Sequence, residues 1–205
     1  MNKNKIMIII FSIIIVVSAG ISAVLLLSGG KDTNTPGLII VKTPEQTRAE
    51  WPSAVPDPQG NWIKLPEGTN LAEGKPVSSG EVTEVYGAAN VVDGDTNTYW
   101  ESKGIPAVIT IDLQASYNIS TVGVKLNPAP IWEARNQTFV ISASTDGTNF
   151  TVIIPEERYD FTPDTGNIVR IDFDAVAATH VRLEFTAKSS GRSNGAQAAE
   201  IVVYE

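Results

Sequence analysis

The stretch Val181-Arg182-Leu183-Glu184-Phe185 alternates apolar and charged residues. This alternation predicts a β-strand, because successive side chains of a strand point to opposite faces. Its three apolar side chains would face a core, and its two charged side chains would face water. A strand with one buried and one solvated face is typical of antiparallel sheets.

The same alternation recurs along the C-terminal two thirds of the chain. The inward-facing sets are Ile109, Ile111 and Leu113; Val122, Val124 and Leu126; Phe139, Ile141 and Ala143; Val169, Ile171 and Phe173; and Ala199, Ile201 and Val203. Turn residues separate these short runs, and Asp146-Gly147 has the composition of a hairpin turn. The pattern predicts an all-β, antiparallel sandwich over residues 70–205.

Residues 1–29 are dominated by one apolar run that carries no charge from Ile6 to Leu27. Roughly 20 apolar residues suffice for a transmembrane helix. We expect an uncleaved signal anchor, or else a signal peptide cleaved after Gly20 or Ala23. Two lysines precede the run, so the positive-inside rule places the remainder outside the membrane. The expected location is the cell membrane with the C-terminal domain extracytoplasmic, or secretion if the leader is cleaved.

Residues 30–69 are crowded with prolines, which do not fit inside regular structure. They are Pro36, Pro44, Pro52, Pro56, Pro58 and Pro66. This composition predicts an extended, stiff stalk between the anchor and the domain. Trp51 and Trp62 are uncommon residues for a solvated linker, which leaves open that part of the segment lies against the domain.

Composition narrows the function classes. The chain has no cysteine, which excludes disulfides, thiolate metal sites and a cysteine nucleophile. Its net charge is −8, and its lysines and arginines are scattered along the sequence. Nucleic acid is therefore not an expected partner, whereas neutral ligands and cations are compatible with the charge.

The domain also carries short motifs in a defined order. They are Asn70-Leu71-Ala72, Gly74-Lys75-Pro76-Val77, Ala89-Asn90-Val91-Val92-Asp93-Gly94-Asp95, Thr98-Tyr99-Trp100, Ile111-Asp112-Leu113, Ser144-Thr145-Asp146-Gly147 and Val181-Arg182-Leu183. This series resembles the discoidin domain, also called the coagulation factor five/eight C-type domain, whose bacterial relatives include the family 32 carbohydrate-binding modules. The resemblance implies a jelly-roll-like, galactose-binding-domain-like sandwich with its ligand-binding loops at one end. Members bind sugars, phospholipid head groups or proteins, so the fold alone does not fix the ligand.

The motif around Asp93 presents hard oxygens in one tight turn, and Ca²⁺ takes about six to eight such ligands. The resemblance implies a structural calcium site formed by the side chains of Asp93, Asp95, Thr98 and Glu200 and the backbone carbonyls of Asn90 and Ala199. The alternative is an Asx-type turn that satisfies itself, with Glu200 facing solvent.

The proline-rich loop from Asn127 to Gln137 contains the strongest ligand-binding candidates, Arg135 first and Trp132 second. A tryptophan offers a flat apolar face, and a guanidinium can donate to vicinal hydroxyls. The position of Arg135 resembles that of a hydroxyl-binding arginine in related modules. The alternatives are that Trp132 folds back over the sandwich and that Arg135 pairs with Glu133 on the surface.

Other loops add Tyr86, Arg192 and Asn194 as further ligand-binding candidates. We interpret Trp100 as a core residue and His180 as a residue at a strand boundary, since no serine and carboxylate partners accompany that histidine in the sequence. Many galactose-binding relatives have a loop histidine that is missing here, which argues against galactose specificity.

The leading hypothesis is therefore a membrane-anchored, extracytoplasmic, non-catalytic module that binds a glycan or polysaccharide. One alternative is a cell-surface domain that binds a protein partner and no sugar. Another is a small glycoside hydrolase, which is disfavoured because the acidic residues have no distinctive arrangement and the domain has little room for a deep cleft.

Overall fold

The computed structural model describes residues 16–18, 21–23, 57, 59–189 and 193–205. Near the amino terminus, β1 (Val16–Ser18) pairs antiparallel with β2 (Ile21–Ala23). The predicted transmembrane helix is wrong for these two segments, and the rest of the predicted anchor lies outside the described residues. Isoleucine and valine dominate this run, and their branched side chains favour strands. In the described ranges, no helix is long and apolar enough to span a bilayer.

The domain that follows is built from antiparallel strands and short 3-10 turns. The strands are β3 (Val77–Ser79), β4 (Trp100–Glu101), β5 (Ala107–Lys125), β6 (Arg135–Ser144), β7 (Thr151–Phe161), β8 (Ile168–Lys188), β9 (Gln197–Ala198) and β10 (Glu200–Tyr204). The 3-10 turns are Ala88–Val92, Pro130–Trp132 and Pro163–Thr165. The prediction of an all-β, antiparallel sandwich is confirmed.

The larger sheet has the strand order β10-β5-β8-β6-β7, with β3 added against β5. A separate ribbon of β4 and β9 faces its buried side, where Trp100 packs with its ring centroid 5.6 Å from that of Phe185. Trp100 is fully buried, which confirms its interpretation as a core residue.

The strand that first indicated the fold lies at the centre of the sheet. Leu183 of β8 pairs with Ile109 of β5 on one side and with Ile141 of β6 on the other, and all three are fully buried. The predicted inward-facing sets form this core with two exceptions: Phe173 is only partly buried, and Ala199 is buried but lies between β9 and β10, outside the core cluster. A register shift between β5 and β8 beside Phe173 explains the first exception, because a bulge turns side chains away from their regular face.

Strand pairing also shows which loops share an end of the sandwich. Arg135 opens β6 opposite Phe161, the last residue of β7, and Glu200 opens β10 opposite Lys125, the last residue of β5. Arg135 also donates to the side chain of Gln197, which shortly precedes Glu200 in the chain. The loops beside these residues are therefore close together, in a region called here the Arg135 end. His180 pairs with the last residue of β6 and marks the region away from that end.

The last part of the predicted stalk lies against the domain. The Trp62 ring contacts Gly166, where an added Cβ would come within 2.8 Å of the indole, and Leu65 contacts Gly123, where an added Cβ would come within 2.7 Å of its methyl group. The backbone N–H of Ile63 also donates to the carbonyl of Thr165 at 3.2 Å. The two glycines thus leave room for the two apolar side chains, as the presence of Trp62 in the stalk had suggested.

Candidate functional site

The acidic loop at the Arg135 end is a tight turn that follows the 3-10 segment Ala88–Val92, whose last two valines are buried. One carboxylate oxygen of Asp93 accepts the backbone N–H of Asp95 at 2.9 Å, and the other accepts the Thr98 hydroxyl at 2.6 Å. Gly94 permits the turn through its φ of +79°. The Asx-type turn of the alternative interpretation is therefore present.

Glu200 does not face solvent, so that part of the alternative is wrong. Its side chain is 2% exposed, and its Oε1 accepts the backbone N–H of Gly94 at 2.8 Å. Burial raises the pKa of Glu200 to about 8, and the adjacent Asp93 carboxyl adds to the rise. Lys125 and the Gly94 amide act in the opposite direction. The buried carboxyl group of Glu200 thus lies against the exposed carboxyl group of Asp93, and this pairing favours a proton or a cation between them.

The other predicted calcium ligands have their own contacts. Asp95 accepts the backbone N–H of Asn97 at 2.9 Å with its side chain, while its backbone carbonyl accepts the Thr98 hydroxyl at 2.9 Å. The Asn90 side-chain amide donates to the carbonyl of Tyr99 at 2.7 Å. Ala199 is buried and donates its N–H to Lys125 at 2.8 Å.

The donor set suits a hard cation only if hydroxyl and carbonyl oxygens take part. Within the part of the chain that the structure describes, no group of three or more His, Cys, Asp or Glu side chains could hold a metal ion. Asp93, Thr98 and Glu200 are brought together, with the backbone of Asp95 beside them. The mixture of carboxylate, hydroxyl and carbonyl oxygens is that of calcium sites. Calcium binding remains a prediction.

Three of the predicted ligand-binding residues meet in an aromatic–arginine cluster, defined as Tyr86, Tyr99, Trp132 and Arg135. Tyr86 stacks on Tyr99 with ring centroids 4.3 Å apart. Trp132 meets Tyr99 edge-on at 4.8 Å. The Arg135 guanidinium carbon lies 5.2 Å from the centre of the Trp132 ring. Trp132 is half-buried, so one edge packs inward as the alternative interpretation expected, while part of the ring stays exposed.

Arg135 is held by polar contacts other than the predicted surface pair with Glu133. Its Nη1 donates to the Gln197 side-chain oxygen at 2.6 Å, and its Nη2 donates to the backbone carbonyl of Trp132. Gln197 in turn donates to the Glu101 carboxylate at 2.7 Å. Burial lowers the pKa of Arg135, opposed by the negative charges of Glu133 and Glu101. The Nε of Arg135 is enclosed and has no partner in the described ranges.

Sequence reasoning missed Tyr99, Glu101 and Gln197. Glu101 pairs with Gln197 across the β4–β9 ribbon. A signal was available, because neighbouring side chains of a strand point to opposite faces. Tyr99 and Glu101 flank the core residue Trp100, so both had to turn away from the core and toward the Arg135 end.

Two candidates in the loop before β9 are not joined to the cluster by these contacts. Asn194 is exposed, next to Gly195, whose backbone packs so closely on Ser102 that an added Cβ would lie 1.6 Å from its carbonyl oxygen. Arg192 lies outside the described residues. Their roles in ligand binding remain predictions.

The groups around His180 form a shallow depression of 450 Å³ away from the Arg135 end. His180 Nε2 lies 3.6 Å from an Asp112 oxygen, and its Nδ1 lies 2.8 Å from the Thr179 hydroxyl. The Ser144 hydroxyl donates instead to Asp146 at 2.9 Å. A Ser-His-Asp arrangement is therefore not formed among these residues.

Comparison with known families gives one match. The family model of the F5/8 type C domain matches residues 76–201, which is more than half of the chain. The match includes the acidic loop, Trp132, Arg135 and Glu200. It begins after the segment that carries Trp62 and Leu65.

Solved structures of family 32 carbohydrate-binding modules share the fold. CpGH89CBM32-5 from Clostridium perfringens, solved in complex with GalNAc-β-1,3-galactose, is 26% identical with a TM-score of 0.54, over 67% of this chain and 100% of the module. A chitosan-binding module from a chitosanase/glucanase of Paenibacillus sp. IK-5 is 25% identical with a TM-score of 0.52, over 67% and 100%. The CBM32 of AlyQ, in complex with 4,5-unsaturated mannuronic acid, is 21% identical with a TM-score of 0.52, over 63% and 93%, and supports the fold alone.

Proposed function

The chain belongs to the F5/8 type C domain family, and we propose that it binds a glycan through its aromatic–arginine cluster without converting it chemically. The observation that carries this proposal is the meeting of Trp132, Tyr86 and Tyr99 beside the guanidinium of Arg135. The binding partner is a glycan or polysaccharide. Catalysis is no part of the proposal.

The cluster has the chemical composition that sugars require. One side of a pyranose ring carries C–H groups and suits a flat aromatic face, while its hydroxyls need fixed donors and acceptors. Trp132 and the two tyrosines supply apolar surface, and the anchored Arg135 supplies donors whose direction is set by Gln197. A positioned guanidinium loses less conformational freedom on binding than a mobile one.

The comparisons support the glycan class without fixing the sugar. The two modules at 25% identity or above carry names that refer to GalNAc-β-1,3-galactose and to chitosan, and this chain spans the whole of both. Those ligands differ in composition and charge. The names of the relatives therefore do not determine which sugar this chain binds, and the charges of the site are the better guide to its class.

Calcium is proposed as a structural ion at the acidic loop. Asp93, Thr98 and Glu200 would hold it with side-chain oxygens, Asp95 with side-chain or backbone oxygen, and the carbonyls of Asn90 and Ala199 would complete the set. The bound ion would neutralise the buried Glu200 carboxylate together with the exposed Asp93 carboxylate beside it, and would tie the loop to β10. Glu200, buried against Asp93, supports this assignment.

Membrane anchoring is also proposed, on the basis of the charge-free run from Ile6 to Leu27. The domain would then lie outside the membrane, or be secreted if the leader is cleaved. Shallow sugar sites bind weakly, and many anchored copies would bind a polymeric glycan more tightly through avidity.

A glycan array probed with the full chain in the presence of Ca²⁺ tests the proposal. We expect binding to at least one neutral or amino-sugar glycan, and loss of that binding in Trp132→Ala. The matched control is Phe150→Ala, which removes another partly buried aromatic side chain, stacked on Arg182 and next to His180. This control should bind like the wild type. A silent array, or equal losses in both variants, would contradict the proposal.

A further inference from the structure

Glu101 lies behind the aromatic–arginine cluster in a defined chain of hydrogen bonds. Arg135 can only donate, so the Gln197 side-chain oxygen must face it. The Gln197 amide nitrogen then faces Glu101 and donates to its Oε2 at 2.7 Å. The sequence of donors and acceptors therefore runs in one direction, from guanidinium to amide to carboxylate.

Gln197 cannot easily turn away, because its backbone is fixed on both sides by Gln137. The Gln197 N–H donates to the Gln137 side-chain oxygen at 2.8 Å, and the Gln137 amide donates back to the Gln197 carbonyl at 2.8 Å. Gln137 is 2% exposed, so water competes little for these bonds. Gln137 thus fixes Gln197, and Gln197 in turn holds the Glu101 carboxylate in place.

Glu101 retains one oxygen for a ligand. Its side chain is 8% exposed, and the other carboxylate oxygen, Oε1, has no hydrogen-bond partner in the described part of the chain. That oxygen is also absent from the fully enclosed, unpartnered side-chain atoms of the described residues. It can accept a hydrogen bond from a group that enters beside Arg135.

The charges that act on the cluster are mostly negative. The pKa of Tyr99 is raised by burial first, then by the neighbouring Tyr86, and further by the carboxylates of Glu101 and Glu84. Arg135 interacts with Glu133 and Glu101. In the described ranges, three carboxylates thus act on a cluster that contains one guanidinium.

We infer that Glu101 makes this cluster select sugars that present hydrogen-bond donors, either hydroxyl or ammonium groups, and reject sugars that carry a carboxylate. The inference rests on the proposed glycan binding and adds the chemical class of sugar. A hydroxyl or ammonium can donate to Glu101 Oε1 while a neighbouring oxygen of the same ring accepts from Arg135. A uronate would place a second carboxylate near Glu101, and like charges in a poorly solvated site repel strongly.

Titration calorimetry of the full chain tests the inference with sugars that differ in one group. Methyl glycosides of glucose, glucosamine and glucuronic acid form one series, and those of galactose, galactosamine and galacturonic acid form a second. We expect the wild type to bind the amino sugar of the better series at least about tenfold more tightly than the uronic acid. The neutral sugar should lie between them.

The variant Glu101→Gln removes the charge and keeps an oxygen that can accept from Gln197. We expect the preference for amino sugar over uronic acid to fall by about tenfold, while affinity for the neutral sugar changes less than about threefold. The matched control is Glu133→Gln, which removes an exposed charge that also acts on Arg135. Its effect on the preference should stay below about threefold, because solvent and salt screen exposed charges.

The outcomes separate the inference from the function on which it depends. If no sugar of either series binds, and no longer oligosaccharide of these sugars binds, the proposed glycan binding fails. If sugars bind but the wild type takes uronic acids as well as amino sugars, the inference alone is overturned. It is also overturned if the wild-type preference survives unchanged in a folded Glu101→Gln variant. If that variant does not fold, the comparison of amino sugar and uronic acid binding by the wild type decides the question.

Discussion

Glu101 and Glu200 are both buried at the Arg135 end, but their surroundings are opposite. Glu101 accepts a hydrogen bond from an amide that is itself bound to a guanidinium. Glu200 lies against a second carboxyl group, that of Asp93, and burial with this neighbour raises its pKa to about 8. The comparison teaches that burial alone does not assign a role to an acidic residue. The partner does: one glutamate is suited to a ligand that donates hydrogen bonds, the other to a cation.

The largest expected effect is a pH dependence of stability when calcium is absent. The folded-state pKa of Glu200 lies above the ordinary 4.5, so its protonated form favours the fold. Stability should therefore be greatest below about pH 4.5 with respect to this group and fall as pH rises through about 8. Urea denaturation in chelator between pH 5 and pH 8.5 should show a loss of several kcal/mol.

The variant Glu200→Gln is the control for this pH dependence, because its side chain cannot ionise. Its stability in chelator should vary much less than that of the wild type over the same interval. Glu101→Gln, in contrast, should retain the wild-type dependence. Equal slopes for wild type and Glu200→Gln would show that Glu200 is not the titrating group.

Calcium should offset the loss of stability that follows ionisation of Glu200. At a calcium concentration about 100-fold above Kd, binding would stabilise the fold by about 2.7 kcal/mol, which raises Tm by roughly 5–10 °C for a domain of this size. Calorimetry at pH 7.5 with calcium and with chelator measures this. Glu101→Gln should keep the calcium shift and Glu200→Gln should lose most of it. An identical Tm with and without calcium would contradict the proposed site.

A smaller effect is expected when the chain of hydrogen bonds behind Glu101 is cut at its start. Arg135→Ala should weaken binding of whichever glycan the wild type binds by roughly 10- to 100-fold, because charged hydrogen bonds are worth about 1.5–3 kcal/mol. The calcium-dependent rise in Tm should be unchanged, since Arg135 has no hydrogen bond with the acidic loop. Calorimetric titration and thermal unfolding of the same sample distinguish the two sites. Loss of both the glycan affinity and the calcium-dependent rise in Tm would show that the two sites are coupled.

The smallest expected effect is on the stability of Glu101→Gln itself. A glutamine oxygen can accept the Gln197 hydrogen bond that the carboxylate accepts, so we expect a change below about 1 kcal/mol in the free energy of unfolding. Denaturation in calcium measures it. A much larger loss would mean that the Glu101 charge supports the fold, and the contrast between the two glutamates would weaken.

The fold was predictable from sequence because its core follows a regular period. Alternation of the kind seen at Leu183 and Ile109 recurs along β5, β6 and β8, and these two residues are fully buried. The exception, Phe173, sits at a register shift that no alternation reveals. The predicted helix of the anchor differs from the described strands β1 and β2, since an apolar run rich in isoleucine and valine does not by itself distinguish helix from strand.

The site was only partly predictable, because its remaining members depend on contacts distant in sequence. Trp132 and Arg135 stood out as unusual residues in a proline-rich loop. Gln197 did not, since its role arises from pairing with Glu101 across the β4–β9 ribbon. The environment of Glu200 likewise depends on the approach of Asp93, more than 100 residues earlier in the chain. The local sequence pattern indicates secondary-structure propensity and periodicity. Contacts such as those of Gln197 with Glu101 and of Glu200 with Asp93 are determined by the tertiary fold.

The central claim, that the aromatic–arginine cluster binds a glycan, is tested most directly by the tryptophan indole N–H signals in nitrogen-15 NMR. The chain has four tryptophans, and Trp100 is a fully buried internal reference. Titration of the calcium-loaded full chain with the glycan that binds best should shift the Trp132 indole signal saturably and leave that of Trp100 in place. Saturable binding that leaves the Trp132 signal unmoved would contradict the account.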